Sequence, residues 1–144
     1  MPVSASGLDT TVYQLPGSGD GFFGTYFRAT WDFAVQGGTI GAITLNPTIP
    51  ANIIILDGYY DVVTTFVGAT NTVSLGFETT TDLLGATAIA TYGTIGRHAV
   101  LPVDTAASSL KTTVARQLVI TIATANVTAG KMFICLRTLP SGVA

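Results

Sequence analysis

The hydrophobic positions of this chain recur mostly at every second residue. From Tyr26 onward, Phe27, Ala29, Trp31, Phe33 and Val35 alternate with Arg28, Thr30, Asp32 and Ala34. Period two is the mark of a half-buried β-strand. Gln36-Gly37-Gly38 predicts a turn, and Thr39–Leu45 a second strand. Asn46-Pro47-Thr48-Ile49-Pro50 is expected to end it, because proline has no N–H for a sheet ladder. Pro50–Phe66 follows, the longest run rich in β-branched and aromatic residues. Strand parity puts Ile54, Leu56, Tyr60, Val62 and Phe66 on one face. Asp57, Tyr59, Asp61 and Thr65 fall on the other, with Ile53, Ile55 and Val63. The run reads as the central strand of the domain, bent at Asp57-Gly58.

Further strands are predicted where the alternation returns. Val73, Leu75 and Phe77 alternate with Ser74, Gly76 and Glu78 after a turn at Gly68-Ala69-Thr70-Asn71. In Thr79–Ala90, Asp82 is placed to cap a short helix over Leu83, Leu84 and Ala86, with a structured loop as the other reading. Tyr92–Leu101 predicts a strand ending at Pro102, and Asp104–Thr113 a short edge strand around Leu110. Arg116–Thr124 alternates cleanly through Leu118, Ile120 and Ile122. Asn126–Lys131 reads as a hairpin connection with Gly130 at positive φ, leading into a last strand at Lys131–Leu139. The total is seven to eight short strands. One sheet of that size would leave an apolar face wet, so the fold class is all-β, a two-sheet β-sandwich with jelly-roll or Greek-key connections. Residues 1–25 show turn chemistry without a sustained period and read as an extended Gly/Ser/Thr-rich N-terminal arm. Residues 26–139 form the sandwich domain, and residues 140–144 a tail.

Composition changes the picture in one respect. Only 10% of the 144 residues are charged, against about 25% in ordinary domains. Such a surface is short of solubilising groups, and charge depletion marks the cores of protein interfaces. Part of the surface is therefore expected to be covered by copies of the chain or by another protein. The net charge is −2, and the six basic residues are scattered. No basic footprint for nucleic acid or for an anionic membrane results. No apolar run reaches the ~18 residues of a membrane span, and no signal-peptide pattern is visible. A single cysteine, Cys135 in the apolar run MFICL, excludes an internal disulfide and reads as a buried, inert thiol.

Candidate chemistry is sparse. Gly19-Asp20-Gly21-Phe22-Phe23-Gly24 matches GxGxxG, but no strand precedes it and no helix follows, so it does not read as a nucleotide site. His98 is the only histidine, and neither a nucleophile elbow nor a marked serine accompanies it. Asp57 and Asp61 share strand parity but lie about 13 Å apart along an unbent strand, too far for one metal or an acid/base pair. No catalytic, cofactor or metal residue is assigned, and no small-molecule substrate is expected. Aromatic and loop positions remain as candidate contacts: Val12, Tyr13, Phe22 and Phe23 on the arm, and Tyr59, Tyr60, Arg97 and His98 on the domain. Tyr59 and Tyr60 point to opposite faces, so core packing explains one and an interface anchor the other.

The segments FRATWDFAVQGGTIGAITL, IPANIIILDGYYDVVTTF, TVSLGFETTTDLLGATAIAT and LKTTVARQLVITIATANVTAGKMFICL carry a family likeness. The IPAN turn leads into a long strand ending VTTF, a DLLGAT loop follows later, and a TAGK hairpin closes the domain. In this the chain resembles the small capsid-associated structural proteins of tailed bacteriophages, of the head decoration or cement type. The resemblance covers roughly Tyr26 to Leu139. It implies a non-enzymatic β-sandwich that forms homotrimers and binds the major capsid protein on the outside of the head, in a virion assembled in the host cytoplasm. Two alternatives stand beside it: a tail, fibre or baseplate module, and a carbohydrate-binding sandwich using an exposed aromatic such as Tyr59 or Trp31. Trp31 lies at the apolar parity of its strand and is expected to be buried.

Overall fold

A computed structural model describes residues 25–104 and 109–141. The arm, its candidate contacts Val12, Tyr13, Phe22 and Phe23, and the GxGxxG match lie outside the described residues. Among the described residues, eight strands form two four-stranded antiparallel sheets. They are β1 (Thr25–Asp32), β2 (Gly41–Ile49), β3 (Ile53–Gly68), β4 (Thr72–Gly76), β5 (Leu84–Ala88), β6 (Gly96–Val100), β7 (Arg116–Ala123) and β8 (Val127–Pro140). One sheet has the order β1-β8-β3-β6 and the other β2-β7-β4-β5. Partners therefore nest as β1 with β8, β2 with β7, β3 with β6 and β4 with β5. That is the connectivity of one long hairpin wound into two sheets.

The core fills the space between the sheets. Leu45, Leu118, Ile120, Ile122, Val73 and Leu75 reach inward from the second sheet. Trp31, Ile55, Tyr60, Val62, Phe66, Met132, Ile134 and Leu136 meet them from the first. Phe66 sits at one end of this core, with ring centroids 4.6 Å from Trp31 and 5.6 Å from Tyr92. Such aromatic pairs add about 0.5–1.5 kcal/mol each beyond the area they bury. Trp31 is fully buried, and its indole N–H donates to Gly37 O at 3.0 Å.

Pro50–Phe66 does form an inner strand, flanked by β8 and β6, but its parity is not continuous. The register of β3 against β8 shifts between Ile55 and Asp57. The extra residue exchanges the two faces, so Ile55 is buried before the bulge while Tyr60 and Val62 are buried after it. Ile54 and Leu56, expected inside, are only half-buried. Further register shifts around Val63–Val67 return Phe66 to the core.

Other departures follow from local hydrogen bonding. The first strand stops at Asp32 instead of running through Val35. Asp32 Oδ1 accepts from Ala34 N–H at 3.0 Å and starts a one-turn helix, α1 (Phe33–Gln36). β2 passes the expected stop and continues to Ile49, because Pro47 falls in a register shift of an edge strand. Asp82 caps no helix. Its carboxylate accepts from the backbone N–H groups of Phe77, Glu78 and Thr79 at 2.8–2.9 Å, fixing the loop between β4 and β5. The helical turn comes later, as α2 (Ile89–Tyr92), so Tyr92 is not part of a strand. The expected edge strand around Leu110 reduces to an isolated bridge between Ile54 and Lys111, with Leu110 buried. Gly130 has the positive φ, +137°, but lies within β8 and not in a hairpin. β7 and β8 belong to different sheets, and Thr124–Asn126 carries the chain across.

Candidate interaction surfaces

Register places the outward side chains of the first sheet in rows. Tyr26, Arg137 and Asp57 form one row, and Arg28, Cys135, Tyr59 and Ala99 the next. Thr30, Phe133, Asp61 and Arg97 form a third, and the Asp32–Lys131 pair closes the face. Four of the six basic residues, Arg28, Arg97, Lys131 and Arg137, thus share one face with three carboxylates.

Most of these charges are already engaged. Arg137 grips Asp57 through Nε and Nη2 at 3.0 and 2.7 Å, and the carboxylate raises the guanidinium pKa further. Lys131 Nζ lies 3.1 Å from Asp32. The Ala34 N–H and then Lys131 hold the Asp32 carboxyl below its usual range. Arg97 sits 4.5 Å above the Tyr59 ring, directly across the ladder from Asp61. Asp57 and Asp61 are thus separate surface groups, and no cluster of metal-ligating residues occurs among the described residues.

An open groove of about 870 Å³ crosses this face. Its floor is Arg28, Thr30, Tyr59, Asp61, Phe133 and Cys135; α1 contributes Val35 and Gln36, and β2 contributes Thr44 and Asn46. Phe133 and Val35 are 44% and 76% exposed. Cys135 is buried in the groove floor, on the outward parity of its strand.

The outward face of the second sheet is a different surface. Its rows are Ala42, Thr121 and Ser74; Thr44, Val119 and Gly76; and Ala123, Thr72 and Ala88, of which Ser74 and Gly76 are buried and Thr44 also borders the groove. These side chains are all small or hydroxylic or β-branched, and none is charged.

Of the four candidate contacts on the domain, Tyr59 and Arg97 are brought together on the first sheet's outer face. Tyr60 faces the core, where burial raises its phenol pKa. His98 stacks on Tyr60 with ring centroids 4.9 Å apart, and its Nε2–H donates to Thr94 O at 2.9 Å. A carbonyl only accepts, which fixes the hydrogen on Nε2. Sequence reasoning missed Arg28 and Phe133, and weighed Asp61 only beside Asp57. Each stands at an unremarkable position of its own strand, and only the register between strands makes them neighbours.

With this geometry in place, three solved structures are similar to the chain. Its fold is that of chains in phage capsids. A chain of the cyanophage Pam1 capsid asymmetric unit aligns with a TM-score of 0.58 at 19% identity, over 96% of this chain and 98% of that one. One from the acid-stable capsid of Helicobacter pylori bacteriophage KHP30 gives 0.58 at 18% identity, over 83% and 90%. One from the capsid of Ralstonia phage GP4 gives 0.56 at 17% identity, over 84% and 86%. No protein-family model and no curated protein matches. At such identities the likeness is one of fold. It extends over nearly the whole Pam1 chain, so the two-sheet sandwich is the unit held in common.

Proposed function

We propose that the chain is a non-enzymatic structural protein of a phage virion, a cement subunit on the outside of the head that bridges neighbouring major capsid subunits. The observation that carries this reading is the end-to-end fold match with a chain of a phage capsid asymmetric unit. The nested strand pairing fits a jelly roll, which suits a shell-associated part by closing the chain into a rigid block. The charge-free outer face of the second sheet is the surface best suited to burial, because covering it takes no charge out of water. A neighbouring copy of this chain is its natural occupant: in a closed threefold ring each copy presents this face to a different patch of the next, and the face itself brings no charge to the contact. The subunit thus works as a homotrimer, whose several modest contacts act together on a lattice.

Cryo-electron microscopy of intact particles tests the placement. Density for this chain is expected on the outer surface of the head, in threefold groups. Density in the shell wall, or at one vertex only, would overturn the cement assignment.

A further inference from the structure

The groove on the first sheet has the shape and chemistry of a receptor, and the chain carries a segment with matching chemistry. We infer that residues 1–24 of one copy dock into the groove of a neighbouring copy. The inference rests on the self-association part of the proposed function and not on the capsid.

Charge is the first argument. Among the described residues, the Arg28 guanidinium makes no hydrogen bond or ion pair, while Arg137 and Lys131 each hold a carboxylate and Arg97 covers Tyr59. Arg28 is therefore the cation left on the groove floor for an incoming acid. Residues 1–24 contain two acids, Asp9 and Asp20, and no Lys, Arg or His. Asp61 also lines the groove, with Arg97 opposite it on the ladder.

Apolar chemistry is the second. Phe133 and Val35 line the groove and are largely exposed. The segment offers Tyr13, Phe22 and Phe23 to cover them. A sugar is less well served at Tyr59, because Arg97 already lies over its ring, 4.5 Å from the centroid.

Reach is the third. β1 begins at Thr25, three residues before Arg28 on the groove floor. Twenty-four residues span up to about 80 Å when extended. That exceeds the roughly 50 Å of the longest strand, β3. A neighbouring groove is within reach.

The test uses the full chain with photoreactive benzoylphenylalanine incorporated at position 22, mixed with heavy-isotope-labelled copies. Cross-linked peptides are mapped by mass spectrometry. Adducts between light and heavy copies, at Arg28–Thr30, Tyr59–Asp61 or Phe133–Cys135, are expected. Arg28→Glu should cut their yield about fivefold, the scale of one surface charge pair. Asp9→Lys with Asp20→Lys should do the same, and the three changes combined should restore it. Adducts confined to one copy, adducts on the second sheet's outer face, or a yield indifferent to Arg28→Glu would each overturn the inference. If light scattering finds only single chains while the groove still cross-links within one copy, self-association fails separately from groove recognition. In particles, adducts solely to another virion protein would overturn arm docking and leave the cement role standing.

Discussion

Phe66 leaves no room for a side chain at position 130. A Cβ built on Gly130 would stand 2.2 Å from Phe66 Cδ1 and 2.4 Å from Cγ. The ring cannot yield, because Trp31 and Tyr92 pack around it. Gly130 also holds φ at +137°, which an L side chain rarely adopts. Gly130→Ala is therefore expected to cost about 3 kcal/mol, overpacking and backbone strain together. Gly85→Ala, which meets open space at ordinary φ, should change stability by less than about 0.5 kcal/mol. Chemical denaturation of the two variants checks the contrast; equal losses would remove the role assigned to Phe66. At this scale the sequence was partly legible. The positive φ at Gly130 could be read from NVTAGK, but its reason could not, since the clash is with a residue 64 positions earlier. Asp82 was likewise recognisable as a cap, though not of which backbone: its three donors precede it, whereas a helix cap serves donors that follow.

Elements were legible where alternation was unbroken, as in β7, and misread where a bulge intervened. Parity carries no mark of an inserted residue, so the exchange of faces between Ile55 and Tyr60 is set by pairing with β8. Long-range pairing also decides how β7 is anchored. Glu78, just past β4, accepts from Thr113 N–H at 2.8 Å and Thr113 Oγ1 at 2.9 Å, and pairs with Arg116 Nε at 2.7 Å at the start of β7. Burial alone would raise the Glu78 pKa, but the Thr113 N–H, the Arg116 guanidinium and the Thr113 hydroxyl outweigh it, and the net shift is downward from 4.5. A carboxyl whose folded pKa is depressed adds stability above its unfolded value and loses it as pH falls through its folded one. Stability is thus expected to fall below about pH 4.5, with Asp32 shifted in the same sense by Ala34 N–H and Lys131. Glu78→Gln should be less stable at neutral pH and show a shallower acid limb in denaturation midpoints measured from pH 7 to pH 3. An unchanged acid slope would mean that Glu78 does not couple the two strands.

For the whole molecule, the sequence conveyed the class of object but not its two-sidedness. Eight strands in two sheets follow from turn spacing and alternation, and a charge content of 10% points to covered surface. Which surface is covered depends on strand order. Arg28 and Arg137 are 109 positions apart, yet both flank β8 outward positions or belong to them, while the outward rows of the second sheet contain no charge at all. Charge is partitioned between the outward faces of the two sheets, and a face without charge is the one that can be dehydrated at least cost. Ala123 is exposed on that face, next to Thr72 on β4. Ala123→Lys gains a solvated ammonium in the single chain and so leaves folding intact. In a threefold assembly through this face it must bury that ammonium against a neighbouring copy, at the cost of desolvating it. The variant is expected to lower the mass measured by light scattering toward that of one chain, with an unchanged far-ultraviolet circular dichroism spectrum. Thr64→Lys, exposed beside Lys131 on the first sheet and outside the groove, should leave the mass unaltered. If instead Thr64→Lys dissociates the assembly and Ala123→Lys does not, copies meet through the charged sheet, and the partition of charge marks the opposite surface from the one proposed.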